Sequence, residues 1–458
     1  MHNRRNFIKS LGAVSLGFSG LQAFANVCTD HVLLEGYGKL EDKGILKLPK
    51  GFAYKVIAEK GSMMDDGLLL PGRADGMGTF AGKDGKVILV RNHENSATDL
   101  VESAFGKDNK LTKGINPQSI FDGGYGTRPH LGGTTTSIYN EKTQEVEKVF
   151  MSLAGTARNC AGGVTPWGSW LTCEEYVCNK NIENEENHGY VFEVPATETM
   201  RLKYPVPIRA MGRFNHEAVA VDPRTGIVYL TEDRGDGLFY RYIPKVKGVL
   251  HKGGKLQALA FVWKENMDTR NWGTQKVKPQ TKYAAEWIDL EDVDADGDTL
   301  RIRGAAAGAA IFARGEGIWF GKGELYFACT SGGRIHTGQI FRYIPSAYEG
   351  TSKEQEKKYR PQLELFAEPN DTKLLKYCDN LTIAPWGDIV FCEDGMAGTR
   401  IFGITPTGNF YQIAENIGFE SEFAGVCFSP SGKTLFVNIQ KPGLTLAITG
   451  DWKDIVKY

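Results

Sequence analysis

HEAVAVDPRTGIVYLTED, residues 216–233, contains two short apolar segments on either side of a turn with Pro223 and Gly226. β-Branched and aromatic residues alternate with other residue types on both sides of the turn, a pattern typical of a β-hairpin. The first strand begins with Glu217, and the second ends with Glu232 and Asp233. An isolated two-stranded hairpin is at best marginally stable in water, so this one must pack against others.

Five further segments of the chain share this pattern of an apolar strand, a Pro or Gly turn and a second apolar strand. They are DGMGTFAGKDGKVILVRNHE (75–94), CAGGVTPWGSWLTCEE (160–175), GEGIWFGKGELYFACTSGG (315–333), DNLTIAPWGDIVFCED (379–394) and FAGVCFSPSGKTLFVNIQ (423–440). Six such hairpins predict an all-β fold, a six-bladed β-propeller with elaborated loops. We expect residues 26–458 to form this one catalytic domain. Two stacked β-sandwiches are the alternative arrangement.

The composition agrees with an all-β globular protein. The 458 residues are 41% hydrophobic, 24% charged and 11% aromatic, and Gly outnumbers Pro by 55 to 18, which favours short strands and many turns. Lys and Arg number 54 against 55 Asp and Glu, giving a formal net charge of -1. This balance argues against nucleic acid as a specific partner.

Residues 1–25, MHNRRNFIKSLGAVSLGFSGLQAFA, have the features of an export signal. The Arg4-Arg5 pair, Lys9, the apolar run and the final Ala-Phe-Ala are similar to a bacterial twin-arginine signal, and an ordinary secretory signal is the alternative. Cleavage removes three positive charges and leaves -4. No other apolar run approaches the ~20 residues of a membrane span. We therefore expect a periplasmic or secreted protein that meets the twin-arginine export machinery only in transit.

The hairpins place acidic residues at equivalent positions. Six residues before the turn residue stand Asp75, Cys160, Glu217, Glu316 and Asp379; the sixth copy has Ala424 there, preceded by Glu422. The second strands end in Glu94, Glu174 with Glu175, Glu232 with Asp233, Thr330, Glu393 with Asp394, and Asn438 followed by Gln440. Because the start of one hairpin strand lies beside the end of the other, both sets should meet at one end of the propeller channel.

About ten carboxylates and one thiol at a single opening predict a site for several cations, because uncompensated carboxylates would repel one another. Oxygen ligands suit hard cations such as Ca²⁺, whereas the thiol of Cys160 calls for a softer transition metal. Any one strand-end acid alone is more simply a solvated side chain. The other cysteines have buried apolar contexts, although Cys173 and Cys178 remain a possible disulfide.

Histidine and the common catalytic motifs add little. His93 and His216 each precede an acid, so their side chains should alternate away from the ligand face. No HExxH, Walker or GxSxG motif occurs in a suitable setting. The acidic segment 292–297 is similar to the start of an EF-hand loop, but its twelfth position is Arg303. It is either a peripheral calcium site or an acidic turn.

Arg314 is a candidate for binding phosphate. It stands two residues before Glu316, so in an extended segment both side chains would point the same way. A guanidinium beside a metal cluster can bind two oxygens of a phosphate at once. A salt bridge to one of the acids is the alternative role.

Several of these segments together resemble the PhoX-type alkaline phosphatases. They are the leader, DGM (75–77), RNHEN (91–95), NCAGGVTPWGSWLTCEE (159–175), NHEA (215–218), RGEG (314–317) and VNIQKPG (437–443). The resemblance implies a six-bladed propeller with a mixed cluster of Fe³⁺ and Ca²⁺ that hydrolyses small phosphomonoesters. Two departures are Lys441, where a histidine is expected, and a chain shorter than many relatives, which affect the expected substrate range more than the chemistry.

The resemblance also implies roles for individual residues. Cys160 would be the thiolate ligand of Fe³⁺, and Glu217 and Glu316 would be carboxylate ligands. Glu174, Glu175, Asp379 and Glu393 would hold iron or calcium. Arg314 would be the catalytic residue that orients phosphate, together with Asn159. Two other functions stay open: a calcium-dependent propeller lactonase, which needs no thiolate, and a non-catalytic binding propeller stabilised by calcium.

Overall fold

The computed structural model describes residues 31–452, so the predicted leader (1–25) and Cys28 lie outside the described residues. The first strands are β1 (Leu40–Asp42), β2 (Leu46–Pro49), β3 (Ala53–Glu59), β4 (Ala74–Ala81), β5 (Lys86–His93), β6 (Gly132–Asn140), β7 (Glu145–Thr156), β8 (Asn159–Val164), β9 (Ser169–Glu174), β10 (Val191–Pro195), β11 (His216–Val221), β12 (Val228–Glu232) and β13 (Phe239–Pro244). The later strands are β14 (Gly254–Phe261), β15 (Lys282–Asp289), β16 (Gly315–Gly321), β17 (Glu324–Cys329), β18 (Gln339–Ile344), β19 (Gln362–Ala367), β20 (Cys378–Ile383), β21 (Ile389–Glu393), β22 (Arg400–Ile404), β23 (Phe410–Asn416), β24 (Phe423–Phe428), β25 (Thr434–Ile439) and β26 (Leu444–Thr449).

Helices are few and short among the described residues. The α-helices are α1 (Leu300–Ala306) and α2 (Lys353–Lys358). Single 3-10 turns occur at Lys83–Gly85, Leu100–Glu102, Lys110–Gly114, Pro117–Ser119, Gly124–Gly126, Arg209–Met211 and Leu250–Lys252. No helix in residues 31–452 combines the length and the apolar character needed to cross a membrane.

The strands form five hydrogen-bonded sheets. Two sheets have four strands, β4-β5-β6-β7 and β24-β25-β26-β3, one has three, β10-β9-β8, and one has six, β1-β2-β23-β22-β21-β20. The fifth has nine strands in the order β11-β12-β13-β14-β15-β19-β18-β17-β16, and its two end strands, β11 and β16, pack against each other. This sheet therefore curls into a nearly closed barrel. The predicted all-β, propeller-like fold is confirmed, whereas the hydrogen bonding does not separate six blades.

The first strands of the six predicted hairpins surround a common axis. β4 packs on β8, β8 on β11, β11 on β16, β16 on β20, β20 on β24, and β24 again on β4. The core lies between neighbouring sheets: Ile88 and Val90 pack with Trp170, and Leu89 packs with Phe436. Burial of such large apolar side chains on both faces of each sheet holds the ring together.

Each of these first strands carries a one-residue irregularity at its start. In the pair of β8 and β9, three steps along β8 from Asn159 to Gly162 match two steps along β9. The other five pairs show the same shift, which places Asp75, Cys160, Glu217, Glu316, Asp379 and Gly425 at equivalent positions. A β-bulge redirects a side chain out of the normal alternation. The bulges therefore turn these side chains toward the axis.

Gly76 and Ala161 follow two of the bulged positions, and their small size allows β4 and β8 to converge. A Cβ atom added at Gly76 would lie 2.5 Å from Cα of Ala161 and 2.8 Å from the carbonyl oxygen of Cys160. No side chain fits such a gap without moving the neighbouring strand. Gly76 is thus required by the close approach of β4 and β8.

We predict that Gly76→Ala destabilises the protein and displaces Cys160. The added methyl group must push β8 away from the axis, which costs about 1–3 kcal/mol. Thermal denaturation should show a lower melting temperature than the parent. Gly114→Ala is the matched control, since a Cβ there meets no atom within 4 Å. Equal losses in the two variants would contradict the packing argument.

Candidate metal centre

The bulged side chains open into a cavity of about 230 Å³ at one end of the ring. Its lining contains nine carboxylates, two guanidinium groups, one thiol and one amide: Asp75, Glu94, Glu175, Glu217, Asp233, Glu316, Asp379, Asp394, Glu422, Arg158, Arg314, Cys160 and Gln440. The deep members come from the bulges, and the rim members follow the second strands. The convergence that the hairpin register predicts is therefore present in the structure.

Two groups of possible metal ligands share one residue. Single ligand atoms of Cys160, Glu175 and Glu217 lie within 4.8 Å of one another, and so do those of Glu217, Glu316 and Asp379. Glu217 belongs to both groups, so two adjacent ions could share its carboxylate. The first group combines a thiol with oxygen donors, whereas the second has oxygen donors alone. This donor chemistry suits a softer cation beside a hard one.

The deep carboxylates have strongly perturbed acidity. Burial, reinforced by Glu94, raises the pKa of Asp75 to about 8. Burial and the charge of Asp233 raise the pKa of Glu175 to about 8 as well. Burial, then Glu175, drives the pKa of Glu217 well above its usual range. Without cations, these groups must therefore hold protons at neutral pH.

The carboxylates of Glu316 and Asp379 and the thiol of Cys160 also have raised pKa values. Burial is the largest cause that raises the pKa of each well above its usual range, followed by Asp233 for Glu316 and by Glu316 for Asp379. The Cys160 thiol also has a raised pKa, through burial and then Glu217. Its Sγ lies 3.4 Å from the carbonyl oxygen of His216. A thiolate at this position requires a cation beside it.

Arg314 connects the acids of the rim with those of the floor. Its Nε and Nη2 donate to the two oxygens of Asp233 at 2.8 and 2.9 Å, and Nη2 also donates to Glu316 at 2.8 Å. Its backbone has φ +52°, in the left-handed region. The side chain is 36% exposed, and its Nη1 lies 3.9 Å from Asp394 Oδ2. Arg314 thus makes the ion pairs that the sequence offered as its alternative role, and its side chain is partly exposed.

Arg158 is a second cavity arginine that the sequence reasoning did not identify. Its Nη2 donates to Glu94 at 2.7 Å and to Glu175 at 2.5 Å. Its φ of +48° matches Arg314, and each arginine stands two residues before a bulged residue. The recurrence of arginine two residues before Asp75, Cys160 and Glu316 was the available signal. Left-handed non-glycine residues of this kind concentrate at functional sites.

Three predicted site residues lie outside the cavity. The carboxylate of Glu174 accepts from the amides of Ala157 and Gly189 and contacts His188. Glu174 ends β9, and its side chain points to the face opposite that of Glu175. Its polar contacts are thus already made within the protein.

The side chains of Glu393 and Asn159 also lie outside the cavity and form hydrogen bonds with other side chains. Both oxygens of Glu393 accept from Arg400, at 2.5 and 2.8 Å. Asn159 accepts from Thr156 Oγ1 at 2.6 Å and donates to Thr172 Oγ1 at 2.9 Å. By contrast, Asp75, Asp233, Asp394 and Glu422 line the cavity.

The two histidines of the hairpins lie away from the cavity, and the described cysteines form no disulfide. His93 and His216 are buried, and burial lowers the pKa of each to about 3. They contact Gly72 and Gly212 carbonyl oxygens, respectively, away from the cavity. All seven cysteines among the described residues are free, so the possible Cys173–Cys178 disulfide is not formed.

We predict that removing metal makes stability depend on pH. Asp75 and Glu175 have folded pKa values of about 8, above the ordinary values near 4 of an unfolded chain. The folded state therefore binds more protons, and stability falls as pH rises from about 4 to 8. The melting temperature of chelator-treated protein should drop by several degrees between pH 5 and 9.

The same measurement has two controls. Protein reloaded with Ca²⁺ and iron should lose the pH dependence, because cations replace the protons. In the metal-free protein, Asp75→Asn should make the melting temperature depend less steeply on pH. Asp84→Asn, at an exposed position, should leave this dependence unchanged. A melting temperature that is flat across this range in the metal-free parent would contradict the electrostatic interpretation.

Comparison with known proteins identifies relatives of this chain. A family model described as alkaline phosphatase PhoX matches residues 36–443. A search of curated proteins found no match.

Solved structures provide similar folds. The PhoX of Pseudomonas fluorescens in complex with vanadate, a transition state analogue, aligns with a TM-score of 0.64 and 17% identity, covering 92% of this chain and 98% of that chain. A gluconolactonase of Xanthomonas campestris aligns with a TM-score of 0.41 and 13% identity, covering 90% and 98%. The first of these likenesses shows that the two chains share a fold.

Proposed function

The chain belongs to the alkaline phosphatase PhoX family and is a phosphatase, and from this premise we propose that it releases inorganic phosphate from small phosphomonoesters in the acidic cavity. The observation that carries the proposal is the pairing of two accessible arginines with buried ligand groups in one cavity. Binding of vanadate by the PhoX of Pseudomonas fluorescens supports the same chemistry here.

We propose that the cavity binds iron and calcium, because its donors fit both. The buried carboxylates cannot all ionise without cations, as their raised pKa values indicate. Cys160, Glu175 and Glu217 would hold Fe³⁺, and Glu217, Glu316 and Asp379 would hold Ca²⁺. When bound, such cations neutralise the charge of the phosphoryl group and lower the pKa of water. Glu174 and Glu393 are left out of this ligand set, because their oxygens are occupied elsewhere.

The arginines would bind and orient the ester. Arg314 and Arg158 face the cavity from two different hairpins, and each already binds a pair of carboxylates. Carboxylate and phosphate oxygens have similar spacing for a guanidinium. A phosphate would therefore bind through the remaining donors of these arginines or replace one of the carboxylates. Asn159 is left out of the phosphate site because both ends of its amide are bonded to threonines.

The lining residues do not supply a hydroxyl nucleophile. Among the described residues that line the cavity, none is serine, threonine or tyrosine. Cys160 and the carboxylates would be engaged as metal ligands, so we propose direct attack by water, with the transferring phosphoryl group held in line by the arginines.

The six-bladed architecture and the cellular location belong to the same proposal. The cyclic packing of six first strands supports six blades, with the nine-stranded sheet as two blades joined through β15. The twin-arginine-like residues 1–25 support export to the periplasm or beyond.

The proposal is tested by metal analysis and an assay on the protein purified after export. We expect iron and calcium together, a visible absorption band from thiolate bound to iron, and release of phosphate from p-nitrophenyl phosphate. Chelation should abolish release, and return of both metals should restore it. A colourless protein with calcium alone that opens lactones would favour the lactonase, and one without turnover would favour a binding propeller.

A further inference from the structure

A third group of possible metal ligands lies outside the acidic cavity. Single ligand atoms of Asp122, His130 and His188 lie within 4.8 Å of one another. All three residues are buried, with His130 3% exposed and the others 0%. Asp122 and His130 belong to the connection between β5 and β6, and His188 belongs to the connection between β9 and β10. None of them lines the cavity of the proposed phosphatase site.

His188 has the surroundings of a metal-binding histidine. Its Nδ1 lies 2.7 Å from Oε1 of Glu174, and its Nε2 lies 3.0 Å from Oδ2 of Asp122. The other oxygen of Glu174 accepts from the amides of Gly189 and Tyr190, which holds this carboxylate in place. A histidine that donates Nδ1–H to a carboxylate and presents Nε2 is the usual arrangement behind a protein-bound metal.

His130 contributes a buried nitrogen without a partner. Its Nε2 lies 3.0 Å from Oδ1 of Asn184, and the amide nitrogen of Asn184 faces Sγ of Cys178 at 2.9 Å. This orientation makes Asn184 Oδ1 the acceptor, so the proton of His130 is on Nε2 and its lone pair is on Nδ1. Nδ1 is buried and has no hydrogen-bond partner among residues 31–452. Leaving such a group unsatisfied is destabilising, and a bound cation would remove this cost.

We propose that Asp122, His130 and His188 bind Zn²⁺, which ties the β5–β6 connection to the β9–β10 connection. Two imidazoles and one carboxylate are typical zinc ligands. The complete burial of the three residues makes the site structural. It goes beyond the phosphatase activity and does not rest on it.

The site also bears on the acidic cavity through the backbone. The carboxylate of Glu174 is hydrogen-bonded to Nδ1 of His188, and the next residue, Glu175, lines the cavity. A zinc ion that fixes His188 would thus also fix the strand end that carries Glu175.

Anomalous diffraction from crystals of the purified parent protein tests the site directly. The protein is dialysed against a chelator, returned to Zn²⁺ with Ca²⁺ and iron, and measured on both sides of the zinc edge. We expect a zinc peak between Asp122, His130 and His188. Absence of that peak, or zinc in the acidic cavity alone, would overturn the proposal.

Variants supply an independent measurement in solution. His130→Gln should contain one zinc fewer per chain than the parent, and Zn²⁺ should no longer raise its melting temperature. His251→Gln is the matched control, because His251 lies 4.0 Å from Glu193, outside the group. Equal zinc content in His130→Gln and His251→Gln would refute the site. If His130→Gln does not fold, the diffraction result on the parent decides.

Discussion

Cys160→Ala should lose its phosphatase activity by about 100-fold or more, together with its iron. The thiol lies on the floor of the cavity, with one ligand atom of each of Glu175 and Glu217 close enough to share a cation with it. It is the only soft donor among the described residues that line the cavity. Its loss leaves oxygen donors, which suit calcium better than iron. The measurements are phosphate release, iron content and the visible spectrum.

Cys427→Ala is the matched control for this change. Cys427 is also buried in the first strand of a hairpin, but it packs among apolar side chains such as Met77 and Phe436. This variant should keep its iron and its activity, with only a modest loss of stability. Full phosphatase activity in Cys160→Ala would show that phosphate release does not depend on a thiolate ligand. Retention of iron without Cys160 would show that the carboxylates alone bind it.

Arg314→Ala is expected to lower kcat/KM for phosphomonoesters by about 10²- to 10³-fold. Its guanidinium lies between Asp233 at the rim and Glu316 on the floor and donates to both. Removing it withdraws the positive charge and the paired donors that would hold the phosphoryl oxygens. Inhibition by inorganic phosphate should weaken in parallel. Steady-state kinetics and phosphate inhibition measure both effects.

Two further variants show whether geometry or charge is responsible. Arg314→Lys keeps the charge but loses the planar pair of donors, so it should recover only part of the activity. Arg224→Ala is the matched control, because Arg224 binds both oxygens of Asp222 in a hairpin turn at the far end from the cavity. Its activity should equal that of the parent. An unchanged affinity of Arg314→Ala for phosphate and for phosphoester would refute the proposed role.

The pattern of hairpins was enough to predict the all-β propeller-like fold and the meeting of acids at one opening. Alternation and turn residues are local properties, and the distance from turn to strand end sets which residues reach the same rim. This is why Cys160, Glu217, Glu316 and Asp379 were identified together. The PhoX family was also identified from its motifs, which the match to residues 36–443 confirms.

Other features depend on contacts between strands that are distant in the chain. Glu174 and Glu175 are adjacent in sequence, yet only Glu175 enters the cavity, because successive residues of a strand face opposite sides. Both oxygens of Glu393 accept hydrogen bonds from Arg400, and no local sequence pattern predicts this ion pair. The number of separate sheets was likewise not predictable, because β15 joins two hairpin groups into one nine-stranded sheet.

The sequence by itself therefore determined the hairpins, the family and the chemical character of the opening, since these follow from local periodicity and residue type. Tertiary structure decided which acids face the axis, through the six bulges, and which are neutralised elsewhere. It also brought Arg158 to the cavity and placed Asp122, His130 and His188 together. Side-chain direction and long-range pairing arise from the packing of whole sheets, so no local pattern encodes them.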